Sequence, residues 1–168
     1  MKICYLFLDC YIYNVGTRGR KWEFMFFGSY EHLLDEKNRL VIPSKFRGLV
    51  GSKVYILKGF DGCLSLFTEK DFNEYLTKLS KLEFGDKLAR EVQRIALSTV
   101  FDLEVDKASR IQIPTALVNK YHITHEVTVV GMIDHIEVWS KEKWNEYISL
   151  NEKDYEAKSE KLLNKKND

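Results

Sequence analysis

The sequence predicts an α+β fold built from two copies of one β-β-α-β-β-α unit. Three observations predict it. The string "DEKNRLVIP", Asp35 to Pro43, returns as "DKASRIQIP", Asp106 to Pro114. The stretch "GFDGCLSLFTEKDF", Gly59 to Phe72, returns as "GMIDHIEVWSKEKW", Gly131 to Trp144. Around both copies the apolar period switches between two and about 3.6, the spacings of strands and helices. A repeat of this length makes each copy a structural unit, so the repeat governs the fold before any single residue is weighed.

Each element follows in order. "EHLLD" and "FDLEVD" alternate and predict short strands. "DEKNR" and "DKASR" are polar and turn-prone, and "RLVIP" and "RIQIP" are the return strands. Pro43 and Pro114 end those strands, because proline has no N–H to give a ladder. Short helical segments are expected after them, over "SKFRGLV" and "TALVNKY". "KVYILKG" and "EVTVVGM" are apolar and β-branched, and "CLSLFT" and "HIEVWS" alternate again. Thr68 and Ser140 predict N-caps for helices over 69–80 and 141–150. Between the halves, Leu88, Val92, Ile95 and Ala96 share one face of a linking helix over 85–97, which is expected to be its apolar side. The boundaries are a first repeat over 29–72, a linking segment over 73–99, a second repeat over 100–144 and a charged tail over 145–168, frayed or disordered.

Composition narrows the function. The chain has 168 residues, 45% hydrophobic and 30% charged, with a net charge of +1. That total argues mildly against a strong nucleic-acid binder, although local patches decide binding. Cys4, Cys10 and Cys63 are odd in number and form no C-x-x-C, which fits a reducing cytoplasm. The opening apolar stretch is interrupted by Asp9 and lacks a cleavage site, and no run is long enough to cross a membrane. His32, His122, His125 and His135 show no metal-ligand spacing, and no P-loop or G-x-S-x-G occurs. No metal and no cofactor is expected. Cys63 is expected to pack in a strand, and Trp139 and Trp144 to anchor core or interface.

The repeated Asp and Arg have a structural explanation. An Asp opening a turn bonds nearby backbone N–H groups, and the Arg four residues on can pair with it. Two aspartates about a pseudo-twofold also invite comparison with an acid-protease dyad, but "DEK" and "DKA" stand where D-[ST]-G is usual. A ring-forming assembly protein without a ligand is a third reading.

The strings "DEKNRLVIPSKFR", "DKASRIQIP", "DGCLSLF", "VTVVGMIDHIEVWSKEKWNEY" and "MFFGSYEHLLD" together resemble the MraZ family of bacterial transcriptional regulators, from about Met25 to Leu150. The resemblance implies two AbrB-like swapped-hairpin β repeats, interlocked into one pseudo-twofold barrel with flanking helices. It implies a closed homo-oligomeric ring, cytoplasmic and nucleoid-associated, with double-stranded DNA as partner and no enzymatic activity. The family binds G-rich direct repeats with TGGG cores, upstream of the division and cell-wall operon that its own gene begins, usually as a repressor. Carried over, Arg39 is the DNA-contact position and Arg110 its repeat partner. Lys37, Lys45 and Arg47 add positive charge near the first, and Lys107 near the second. Asp35 and Asp106 are expected to orient the turns. "SKFR" in the first half against "TALV" in the second makes the first half the main DNA face.

Residues 1–24 lie outside that resemblance and follow neither period. They are expected to be a disordered extension or leader DNA read as protein, with Met25 the natural start. The leader reading is preferred because the codons can spell operator. Val15–Gly16 permits GTG-GGN, Arg18–Gly19 permits CGT-GGN, and Lys21–Trp22–Glu23 permits AAG-TGG-GAR, so GTGG recurs at steps of about ten nucleotides, one turn of B-DNA. The competing reading is a basic arm "RGRK" laid along phosphates.

Overall fold

The computed structural model describes residues 25–164, so the expectation for residues 1–24 lies outside the described residues. The chain runs β1 (Phe26–Leu33), β2 (Arg39–Val41), β3 (Lys53–Lys58), β4 (Leu64–Thr68), α1 (Glu69–Ser80) and α2 (Lys87–Leu97). It then repeats the plan with β5 (Phe101–Glu104), β6 (Arg110–Gln112), α3 (Thr115–Tyr121), β7 (Glu126–Ile133), β8 (Ile136–Ser140) and α4 (Lys141–Asn151), before a 3-10 turn and α5 (Tyr155–Asn164).

The strand order is where the repeat shows its purpose. One antiparallel sheet runs β1-β7-β8-β4-β3-β5, and a second pairs β2 with β6. Reading the first sheet backwards and exchanging each strand for its repeat mate returns the same order. Four of the pairings cross between halves: β1 with β7, β5 with β3, β4 with β8, and β2 with β6. Each half therefore borrows an edge strand from the other, which leaves neither half with a complete sheet of its own.

One pair of glycines makes the β1–β7 contact possible. Gly28 lies opposite Gly131. A Cβ on Gly131 would fall 2.3 Å from the Phe27 nitrogen, inside any permissible contact, and Gly28 sits at φ +96°.

Pleating sorts the side chains onto two faces. Val54, Ile56, Leu64 and Leu66 of the first half join Val127, Val129, Ile136 and Val138 of the second in one core, which Leu40, Ile42, Ile111 and Ile113 complete from the β2–β6 side. The opposite face of the sheet carries the helices. Leu57 and Phe67 pack with Phe72 of α1, and Cys63, Val130 and Trp139 pack with Trp144 and Tyr147 of α4. Cys63 is fully buried there, and burial pushes its thiol pKa up, which leaves it an inert packing group. Both helices start at their predicted caps: Thr68 accepts from the Asp71 N–H and Ser140 from the Lys143 N–H. A cap of this kind contributes about 1 kcal/mol.

The structure departs from the sequence expectations in three places. "SKFRGLV" forms successive turns over residues 44–49 where a helical segment was expected, while "TALVNKY" forms α3. The Phe46 N–H reaches the Pro43 carbonyl, and both Leu49 and Val50 N–H groups reach that of Phe46, so the first-half bonds close short turns. Gly48 lowers helix propensity at this point. The second departure is in α2. Ala89 and Ala96 are its buried residues, whereas Leu88, Val92 and Ile95 are exposed. Of the expected apolar stripe only Ala96 turns inward, and Leu88, Val92 and Ile95 face away from the chain's own core. The third is register: Val54 pairs with Thr68 as Val127 pairs with Ser140. The first β3–β4 turn is thus one residue longer than its mate, and Gly59 and Gly131 are not structural equivalents. The tail is helical as far as Asn164. Among the described residues no helix is long and apolar enough to cross a membrane.

The shorter β7–β8 turn carries a half-buried polar cluster. His135 Nδ1 lies 2.6 Å from Asp134 Oδ1, and its Nε2 lies 3.8 Å from Glu137. The ring stacks on Phe67 of the first half at 5.0 Å. Glu137 also accepts from the Trp139 indole N–H at 2.9 Å, and Lys78 of α1 approaches Asp134 at 3.5 Å. Burial alone would lower the His135 pKa, but its two carboxylate partners outweigh burial and push it up to about 9. A group raised in the folded state stabilises fully below its unfolded pKa of about 6.5 and loses that contribution as pH climbs through the folded value. Urea-unfolding midpoints should therefore fall between about pH 6.5 and pH 9, and His135→Gln should flatten that slope; an unchanged slope in the variant would place the titration elsewhere.

Candidate nucleic-acid interface

The two D-x-x-x-R strings fold into the same device. Each is a three-residue hairpin loop closed by a type I turn and a residue in the left-handed region. The Asp35 N–H reaches the Arg39 carbonyl, and the Asn38 N–H reaches the Asp35 carbonyl; Asp106, Ser109 and Arg110 repeat both bonds. Asn38 and Ser109 take the left-handed position at φ 56° and 55°. Asparagine tolerates that conformation better than serine does.

The carboxylate then clasps its own loop. Asp35 Oδ1 accepts from the Lys37 and Arg39 backbone N–H groups, and Oδ2 accepts from Arg39 Nε at 2.6 Å. Asp106 Oδ1 accepts from Ala108 and Arg110, and Oδ2 from Arg110 Nε at 2.8 Å. These donors hold both carboxyls below the usual range, the arginine backbone N–H being the main cause in each, ahead of the opposing effect of burial and the help of the guanidinium. Each aspartate is thus committed to its own arginine. A protease dyad would need the two carboxyls to share one proton. The spacing Asp-x-x-x-Arg is what the clasp requires: the loop must close before the arginine can return alongside the aspartate.

Pairing then brings the two arginines together. In the β2–β6 ribbon Arg39 lies opposite Gln112, Leu40 opposite Ile111, and Val41 opposite Arg110. Leu40 and Ile111 are about 1% exposed and face the core. Alternation therefore puts Arg39, Val41, Arg110 and Gln112 on the outer face. The clasp loops also lock onto the opposite half. The Ile42 N–H reaches the Ser109 carbonyl, the Ile113 N–H reaches the Asn38 carbonyl, and Asn38 Nδ2 reaches Thr115 Oγ1 at 3.2 Å.

The remaining basic residues sit around this ribbon. Lys37 and Lys107 are exposed in the loops. Lys45 is exposed in the turns after Pro43, with its ammonium 5.4 Å from the Phe27 ring centre. Arg47 donates from Nε to the Ile42 carbonyl at 2.9 Å; burial, helped by the Arg47 charge, lowers the pKa of His32. Pro43 is buried behind the ribbon, and Pro114 precedes α3. Beside the ribbon a hollow of about 540 Å³ is lined by Arg39, Arg110 and Gln112 together with Asp102 and Glu104. Asp102 is held by Lys53 at 2.8 Å. Gln112 was missed at sequence level. The signal was present in "RIQIP", where period two puts residue 112 on the face of Arg110.

A duplicated, interlaced α+β protein with a twin-arginine ribbon is the class that fold and site define. Comparison with known proteins gives the family. The family model described as "MraZ protein, putative antitoxin-like" matches twice, over residues 25–95 and 97–166, and the chain belongs to this family. It is 37% identical over 141 residues to the transcriptional regulator MraZ of Ureaplasma parvum serovar 3, covering 83% of this chain and 97% of the relative. It is 41% identical over 123 residues to that of Dictyoglomus thermophilum, covering 73% and 84%. It is 38% identical over 130 residues to that of Lachnoclostridium phytofermentans, covering 76% and 92%.

Removing either carboxylate should open only its own loop. Asp35→Ala should speed hydrogen–deuterium exchange at the Lys37 and Arg39 amides and leave Ala108 and Arg110 protected; Asp106→Ala should do the reverse. Uniform exchange through both loops in either variant would mean that the clasp does not act locally.

Proposed function

We propose that this chain is a DNA-binding transcriptional regulator without enzymatic activity, and that the β2–β6 ribbon is its DNA-reading element. The observation that carries this is the placement of Arg39 and Arg110 on one outward ribbon face, each oriented by its own aspartate. B-DNA's major groove admits a two-stranded ribbon, and an arginine can bond guanine O6 and N7 together. The names of the relatives support the regulatory role. In this reading Arg39 is the principal contact, Arg110 its weaker partner, and Lys37, Lys45, Arg47 and Lys107 meet phosphates, which position the protein without reading sequence. Asp35 and Asp106 hold the arginines and turn their own charge away from the phosphates. Pro43 and Pro114 end the ribbon strands.

The interlaced halves, with repeats over 29–72 and 100–144, form an AbrB-like barrel that β2 and β6 close. The chain assembles into a closed homo-oligomeric ring, and Leu88, Val92 and Ile95 on the exposed face of α2 supply apolar surface for it. The ring binds direct repeats with TGGG cores upstream of its own gene and represses the division and cell-wall operon, in the cytoplasm at the nucleoid. A net charge of only +1 is compatible with this, because several subunits on adjacent repeats add their modest contacts through effective concentration.

Arg39→Ala should abolish specific binding in a mobility-shift titration with GTGG-repeat duplex, with circular dichroism and oligomeric state unchanged. Arg110→Ala should weaken binding less. The wild-type slope of log K against log salt should be steep, at roughly −0.9 per phosphate neutralised. Undiminished binding by Arg39→Ala would remove the ribbon from the interface. Inserting about five base pairs between repeats turns one site to the opposite face of the duplex, and most of the avidity gain of roughly 10²–10⁴ should vanish. Equal affinity for natural and half-turn spacings would exclude simultaneous engagement by one ring.

A further inference from the structure

The two halves do not present the same chemistry on the ribbon. The repeat aligns Arg39-Leu40-Val41 with Arg110-Ile111-Gln112. The core-facing position is conservative, Leu40 against Ile111, and both are buried. The outer position differs, with Val41 in one half and Gln112 in the other. Cross-strand pairing sharpens that difference. Gln112 lies opposite Arg39, and Val41 lies opposite Arg110. Directly opposed residues in an antiparallel pair have Cβ atoms about 4.5–5.5 Å apart on the same face. The outward face is therefore two unlike couples, Arg39 with Gln112 and Arg110 with Val41.

Several facts make Gln112 available to a ligand. It is exposed, and among the described residues its side-chain amide makes no hydrogen bond. Its strand is pinned from both sides, by Ile111 in the core and by the Ile113 N–H on the Asn38 carbonyl, so the backbone that presents it is fixed. The hollow beside it is lined by charges of both signs, Arg39 and Arg110 with Asp102 and Glu104. An uncharged amide that donates and accepts at once is matched by a base edge that does the same, whereas a phosphate only accepts.

We propose that Gln112 is a base-reading residue that selects adenine beside the base pair read by Arg39, and that the ribbon therefore reads an asymmetric site. This deepens the DNA-reading role assigned to the ribbon and rests on it. A glutamine amide donates to adenine N7 and accepts from adenine N6 in the major groove, a bidentate match that no other base offers it there. Val41 offers only an apolar surface, suited to a thymine methyl. The site read by one chain is then guanine with a neighbouring adenine at one end, and guanine with no adenine requirement at the other. This difference adds base-level direction to the asymmetry in charge that Lys45 and Arg47 already give the first half. Direct repeats need that direction, since a symmetric reader would bind either orientation equally.

The test is selection from a random duplex library by the full chain, as wild type, Arg39→Ala, Gln112→Ala and Val41→Gln, followed by titration of the selected duplex. The wild type should enrich guanines with a specified adenine at one end. Replacing that A·T pair should weaken wild-type binding by roughly 5- to 150-fold. Gln112→Ala should enrich the same guanines with the adenine preference erased, and should bind original and replaced duplexes equally. Val41→Gln should acquire a second adenine preference at the other end. Retention of the adenine preference by Gln112→Ala, or a uniform loss of affinity with the selected sequence unchanged, would overturn the assignment while leaving the Arg39 reading in place. Failure of the wild type to enrich any duplex, or enrichment of the same guanines by Arg39→Ala, would instead overturn the ribbon's DNA role and this assignment with it.

Discussion

Three residues of β2 paired with three of β6 are the constraint on which the site depends. A two-stranded ribbon this short has little stability of its own. It exists because Leu40 and Ile111 are buried in a core supplied by both halves, and because each clasp loop bonds the strand leaving the other. Remove that burial and the arginines lose their shared frame, although each would keep its aspartate. The clasp fixes how an arginine points; the ribbon fixes where it stands relative to its twin.

The larger sheet applies the same logic to the whole molecule. β1 and β5 are edge strands taken up by the opposite half, and the β4–β8 pairing joins the halves at the centre. Interlacing of this kind couples the halves, since neither can close its sheet alone. It also lets one chain diverge at matching positions without losing the frame. Val41 against Gln112, the turns at 44–49 against α3, and the polar cluster at His135 against the longer first turn are all such divergences. The turns and α3 still each place one residue in the shared core, Phe46 and Leu117, while Val41 and Gln112 lie on the outer face.

Local features of the fold were legible in the sequence because their causes are local. Thr68 and Ser140 cap helices within three residues of themselves. The Asp–Arg pairing spans four residues and is set by one loop geometry. What was not legible depends on contacts far along the chain. Periodicity showed that Leu88, Val92 and Ile95 share a face of α2, but not whether that face meets this chain's core; small Ala89 and Ala96 turned out to be the residues that pack. "SKFRGLV" and "TALVNKY" are related by repeat, and both bond back to their proline carbonyl, but only the second adds a four-residue bond to it, from Val118 to Pro114, while Gly48 lowers helix propensity in the first. Gln112 shares period two with Arg110, but its placement opposite Arg39 is a register fact that no single strand contains. Stretches of like sequence show which elements are mates, whereas the exchange of mates between halves is decided by the core as a whole.

Methylation protection by dimethyl sulfate would test the central claim most directly, because guanine N7 lies in the major groove and adenine N3 in the minor groove. With wild-type protein on GTGG-repeat duplex, the account predicts protection of guanine N7 in each repeat, and its loss with Arg39→Ala at protein concentrations where non-specific complex still forms. Protection confined to adenine N3, or guanine protection that persists in Arg39→Ala, would contradict a major-groove reading by the twin-arginine ribbon.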